Sequence, residues 1–88
     1  MEAKILSQQS NVAVVQLPGR SYPGIVIQGD SLNSLLQLAR EAKNQLDASN
    51  AGEARDVLEE IIGFLSVRLL IYKSTLSGAG IDLPYHEG

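Results

Sequence analysis

The spacing of apolar residues changes once along the chain, from short alternating runs to a helical period. Lys4-Ile5-Leu6 predicts a short strand, and Asn11 to Leu17 (NVAVVQL) is β-branched and apolar enough for a second. The polar stretch Ser7 to Asn11 is suited to closing a hairpin between them. Two Pro-Gly dipeptides follow, Pro18-Gly19 and Pro23-Gly24, and each fits a type II turn, with Pro presetting φ and Gly accepting a positive one. Gly24 to Gln28 predicts a third short strand, ended by Gly29.

From Asp30 the period lengthens. Leu32, Leu35, Leu36, Ala39, Ala42 and Leu46 recur at three- and four-residue spacing, which predicts an amphipathic helix to about Asp47 with Asp30 or Ser31 as its N-cap. Ala48 to Gly52 reads as a compact turn. Glu53 to about Ser77 reads as a longer second helix, acidic at its start and carrying Arg68 and Lys73 toward its end, as the helix dipole prefers. Gly78 and Gly80 supply the stop, and Ile81 to Gly88 an extended tail. The expected fold is therefore α+β: short antiparallel β-strands followed by an antiparallel helix pair, in the order β-β-β-α-α. It reads as one domain over 1–88, made of a β-rich part (1–29), a helical hairpin (30–77) and the tail (78–88).

The second helix carries more apolar surface than one stripe holds. Ala54, Val57, Leu58, Ile61, Leu65, Leu69, Tyr72 and Leu76 form the expected core stripe, and Phe64, Val67, Leu70 and Ile71 a second one on its flank. A surface helix of a monomer is polar at such a flank. The sequence therefore points to a homo-oligomer joined through Phe64, Val67, Leu70 and Ile71; the alternative is that sheet and tail wrap the helix within one protomer. Arg68 falls on the core-facing side. It is expected either to snorkel and pair with a carboxylate or to hold an anion at an oligomer interface.

Composition narrows the chemistry. The chain has 88 residues, no cysteine and one histidine, so thiolate nucleophiles, disulfides and His-pair metal sites within one chain are excluded. A net charge of −3 and a pI near 4.9 argue against duplex nucleic acid or an anionic membrane as the main partner. Hydrophobic residues make up 44%, a high share for a chain this short, which must expose much of itself. There is no signal-peptide pattern and no uninterrupted apolar run of spanning length, since Gly63, Ser66 and Arg68 break the stretch from Ile61 to Tyr72. A cytoplasmic protein is the expectation.

The densest group of unusual residues is Leu17 to Gly24. Gly19 and Gly24 free backbone N–H groups, Arg20 offers a planar fork for phosphate or carboxylate, Ser21 a hydroxyl and Tyr22 a stacking face. A rigid turn with a solvated arginine is the competing reading. The junction Gln28-Gly29-Asp30-Ser31-Leu32 is better read as an N-cap than as a phosphate site, because the Asp30 carboxylate occupies the anion position and no P-loop pattern follows. His86 has no nucleophile or orienting partner in a recognisable motif, and Glu59 and Glu60 point about 100° apart on a helix. No catalytic residue, metal or cofactor is assigned.

The pattern Asn11-x-Ala13-Val14-Val15-Gln16-Leu17-Pro18-Gly19-Arg20, followed by Pro23-Gly24-x-x-x-Gln28-Gly29-Asp30-Ser31-Leu32, resembles a family of small bacterial and phage-associated proteins of unknown function. The resemblance implies a long helix and a tail like Ile81 to Tyr85, and no activity. In size and build alone, the chain is similar to phage proteins that form homo-oligomers and sequester the nucleotide second messengers of bacterial defence systems.

Two functions from different classes follow. One is a non-catalytic homo-oligomer that sequesters a small phosphorylated, nucleotide-like ligand between subunits, using Arg20, Tyr22 and Arg68. The other is an immunity- or antitoxin-like module that caps a basic partner enzyme with its acidic surface. An enzyme is not expected.

Overall fold

The computed structural model describes residues 2–9 and 12–86. Within them the order is β1 (Lys4–Gln9), β2 (Val12–Gln16), β3 (Gly24–Val26), α1 (Gly29–Asp47) and α2 (Ala51–Gly78). The fold is α+β: a three-stranded antiparallel sheet in the order β1-β2-β3, then two helices, the second long. The described chain divides into two compact units. One holds the sheet and the chain from Arg68 onward; the other spans Gln28–Val67, which is α1 and the first part of α2.

In the sheet unit, β1 is longer than its apolar residues imply. Ser7, Gln8 and Gln9 continue the strand and pair with Val14, Ala13 and Val12. The polar run is thus ladder rather than loop. The expected turn residue Ser10 and strand start Asn11 lie outside the described residues. The register slips between Ile5 and Ser7, leaving Leu6 as the extra residue of a β-bulge. A bulge re-aims side chains, and here Leu6 packs against the core while neighbouring Ser7 reaches the helix.

The inner face of β2 carries Val12 and Val14, which pack with Ile71, Tyr72 and Leu76 of α2; Leu6, Ile25, Ile81 and Leu83 close around them. Each large apolar side chain so buried contributes roughly 1.5–3 kcal/mol relative to exposure. Two hydroxyl contacts fix the helix on the sheet. Thr75 Oγ1 donates to the Ile71 carbonyl at 2.7 Å and lies 2.7 Å from Ser7 Oγ. A hydroxyl has one proton, so Ser7 is the donor in that pair. The second contact runs from the Tyr72 hydroxyl to the carbonyl oxygen of Pro23, at 2.7 Å.

Both helices end in the same way. At α1 the Asn50 N–H bonds the Gln45 carbonyl and the Ser49 N–H bonds that of Leu46, with Ser49 at φ 62°. At α2 the Ile81 N–H bonds the Leu76 carbonyl and the Gly80 N–H that of Ser77, with Gly80 at φ 69°. Each is a Schellman cap, which needs one left-handed residue just past the helix. Glycine fills that place after α2, as expected. Serine fills it after α1, so Gly52 is free to enter the first turn of α2, which begins at Ala51 rather than Glu53.

α1 also begins earlier than expected. Gln28 is its N-cap and makes no side-chain cap bond, while Asp30 sits inside the first turn and accepts the N–H of Ser31 at 2.8 Å. Asp30 therefore places its charge at the positive end of the helix without serving as the cap.

The covered arc of α2 departs from the expected stripe. Ala54, Val57, Ile71, Tyr72 and Leu76 are buried and Ile61 and Phe64 half-buried, whereas Leu58, Leu65 and Leu69 of the expected core are exposed. At about 100° per residue, the buried arc has turned toward Phe64 and Ile71, and the open arc is Leu58, Ile62, Leu65 and Leu69. By length and composition α2 is long and apolar enough to cross a membrane, and 17% of the qualifying stretch is buried.

Candidate functional site

The loop from Leu17 to Pro23 is fixed at several points. Pro18 and Gly19 occupy the centre of a type II turn: the Arg20 N–H bonds the Leu17 carbonyl at 3.3 Å, and Gly19 has φ 78°. The Gln16 side-chain amide spans the turn, donating to the carbonyls of Leu17 (3.3 Å) and Arg20 (2.9 Å). At the other end, Pro23 is buried and its carbonyl receives the Tyr72 hydroxyl. Between these anchors Arg20, Ser21 and Tyr22 are exposed.

The second Pro-Gly dipeptide is not a type II turn. Gly24 opens β3, pairs with Val15 and has no positive φ. Its N–H therefore belongs to a strand rather than to a turn-based anion cradle. The physical reason lies in Pro23: its carbonyl is drawn to Tyr72, which keeps the chain extended into β3.

Arg68 lies one helical turn before Tyr72 on the same face of α2. Ser7 meets Thr75 opposite Val14, and Tyr72 meets the loop at Pro23. Following the helix from Thr75 through Tyr72 to Arg68 thus leads toward the loop end of the sheet. Arg68 is half-buried there and engaged within the protein. Tyr72 itself has its pKa raised above the ordinary 10.0, first by burial and then by neighbouring Tyr85.

The four residues expected to join protomers do not share one environment. Ile71 is buried in the core of its own chain, against the sheet, so it is not part of an open flank; this is a consequence of the rotated arc. Phe64 is half-buried and engaged within the chain. Val67 and Leu70 are exposed, Leu70 by 62%.

Surface concavities occur elsewhere. One of about 470 Å³ is lined by Lys73, Ser77, Gly80, Ile81, Asp82 and Leu83; another, of about 410 Å³, lies at the start of α2 around Gly52, Glu53 and Asp56. Neither is lined by Arg20, Tyr22 or Arg68. Among the described residues no group of three or more His, Asp or Glu is placed to hold a metal. His86, Glu59 and Glu60 are exposed.

The fold and the braced loop define a small α+β class. The chain belongs to a family of unknown function, DUF6959, which it matches over residues 1–85. No match was found among curated proteins or among solved structures.

Proposed function

We propose that the protein is a non-catalytic, homo-oligomeric binding protein that takes a small anionic, nucleotide-like ligand at the Arg20 loop. The observation that carries this reading is the bracing of that loop. The type II turn, the Gln16 clamp and the Tyr72–Pro23 bond hold the backbone, while a guanidinium and an aromatic ring stand exposed between them. Side chains presented on a prearranged backbone lose less entropy on binding, and Arg with Tyr suits a phosphate next to a base. Arg68 adds a second positive charge toward the same end of the sheet. Interfaces between small subunits create concavities, so the ligand is placed between subunits. Sequestration in the cytoplasm, as by a phage-borne sponge for second messengers, is the role this reading assigns.

The test is calorimetry against inorganic phosphate and a panel of linear and cyclic nucleotides. Binding to at least one nucleotide, lost in Arg20→Ala and weakened in Tyr22→Ala, is the expected result. No heat and no thermal shift with any phosphorylated compound overturns it.

A second reading is favoured by the start of α2. There Glu59 stands beside exposed Leu58 and Ile62, and Glu53, Asp56 and Glu60 add negative charge further round the same exposed helix start, which suits a basic partner. Co-purification of one basic protein, lost on reversing Glu59 and Glu60, supports that alternative.

A further inference from the structure

The unit formed by α1 and the first part of α2 leaves a row of leucines open on each helix. On α1 the covered positions are Leu35, Leu38, Ala42 and Gln45, and on α2 they are Ala54, Val57, Ile61 and Phe64, each set repeating at three- and four-residue spacing. Their spacing and burial place these rows on the facing sides of a hairpin closed by residues 48–50. One residue further round lie Leu32, Leu36 and Leu46 on α1, and Leu58, Ile62 and Leu65 on α2. All six are between 44% and 56% exposed. Antiparallel helices viewed end-on wind in opposite senses, so a step of about 100° forward on each carries both rows to the same side of the pair. The hairpin therefore presents one largely apolar face built from both helices, with Lys43, ion-paired to Asp47, and Arg55 in the same two rows.

We infer that this face is the contact between two copies of the chain, which close hairpin on hairpin into a four-helix bundle. Three arguments favour a second copy. A helical hairpin with a second apolar face is half of such a bundle. The six side chains, each about half exposed, offer roughly 500 Å² per protomer, so a symmetric pair buries about 1,000 Å² before polar neighbours are counted, close to the roughly 1,200 Å² at which specific interfaces begin. The outer edges carry opposite charges, while Lys43, held by Asp47, and Arg55 lie between them among the leucines. Next round from the leucine rows come Arg40 on α1 and Glu59 on α2, nine and ten residues from Ser49 on either side of the turn. A twofold axis along the bundle sets α1 against the partner's α2, and this brings Arg40 level with the opposing carboxylate, twice per dimer.

This surface deepens the oligomeric part of the proposed function and rests on it; anion binding at Arg20 stands or falls separately. It also moves the contact away from Val67 and Leu70, and that makes the test discriminating. Sedimentation equilibrium on the full chain over a range of concentrations is expected to give a dimer. L36E/I62E is expected to give a monomer with unchanged helical circular dichroism, whereas V67E/L70E stays dimeric. R40E is expected to weaken the dimer about tenfold, and adding E59R to restore it, which decides the matter even if L36E/I62E fails to fold. A monomeric wild type overturns both the surface and the oligomeric reading, and if it also floats with phosphatidylcholine vesicles, a bilayer is the occupant. Loss of the dimer in V67E/L70E but not in L36E/I62E, or failure of E59R to rescue R40E, overturns this surface while leaving an oligomer in place. Nucleotide binding by a monomeric L36E/I62E overturns the placement of the ligand between subunits and leaves this surface in place.

Discussion

The Tyr72 hydroxyl donates to the carbonyl of Pro23 at 2.7 Å, joining α2 to the loop before β3 across 49 positions of sequence. Tyr72 is buried, and no buried side-chain polar atom among the described residues lacks a partner. Tyr72→Phe keeps the ring's packing but strands the carbonyl. We expect a loss of about 1–2 kcal/mol in urea unfolding, together with faster amide exchange at Gly24 and Ile25. A loss confined to global stability, with exchange at β3 unchanged, contradicts the anchoring role.

The same residue sets a pH dependence. Burial, helped by Tyr85, raises the Tyr72 pKa above 10.0, so the folded state disfavours its ionised form. A raised pKa contributes stability in full below the unfolded value of 10.0, and that contribution disappears as pH climbs through the folded-state pKa. The melting temperature is expected to fall more steeply above pH 10 in the wild type than in Tyr72→Phe. Parallel curves refute this.

The two Pro-Gly dipeptides separate in a simple substitution pair. Gly19 has φ 78° and Gly24 an ordinary φ, and an added Cβ meets no atom within 4 Å at either position. Sterics against the surroundings are therefore equal, and only backbone conformation differs. Gly19→Ala is expected to cost about 1–2 kcal/mol, and Gly24→Ala to be neutral or to stabilise by up to about 1 kcal/mol. Chemical denaturation of the two variants side by side gives the comparison.

What the sequence made legible follows from how local each feature is. The order of elements, the Pro18-Gly19 turn and the Gly80 stop depend on neighbouring residues, and they are readable from them. The bulge at Leu6 depends on the partner strand, and the polar residues Ser7 to Gln9 hide the continuation of β1. The covered arc of α2 is harder still. Apolar residues occur nearly all round that helix, so periodicity alone allows several arcs, and Ile71 is assigned to the core only by Val12 and Val14 packed against it. The loop with Arg20 and Tyr22 stood out by composition. Its tie to the body did not, because a tyrosine hydroxyl reaching a distant carbonyl leaves no local pattern.

Ser49 carries a left-handed backbone that glycine occupies at the equivalent place after α2. Its Cβ opposes the conformation the Schellman cap requires. Ser49→Gly relieves this, less the entropy that glycine adds to the unfolded chain, and is expected to stabilise by about 0.5–1 kcal/mol. An unchanged or lowered unfolding midpoint shows that the Ser49 side chain supplies something the strain argument omits.

Ser7 and Thr75 close the seam between β1 and α2, and the direction of their bond predicts unequal effects. Ser7 donates to Thr75 Oγ1, which in turn donates to the Ile71 carbonyl. Ser7→Ala removes one donor and leaves Thr75 bonded, so a cost of about 0.5–1 kcal/mol is expected. Thr75→Val removes the middle of the chain and leaves a partly buried Ser7 hydroxyl unpaired, for about 1–2 kcal/mol. In the double variant no hydroxyl is stranded, and the loss is expected to fall short of the sum of the single changes by about 0.5 kcal/mol or more. Strict additivity in that cycle, measured by urea unfolding, shows that the two hydroxyls do not interact in solution.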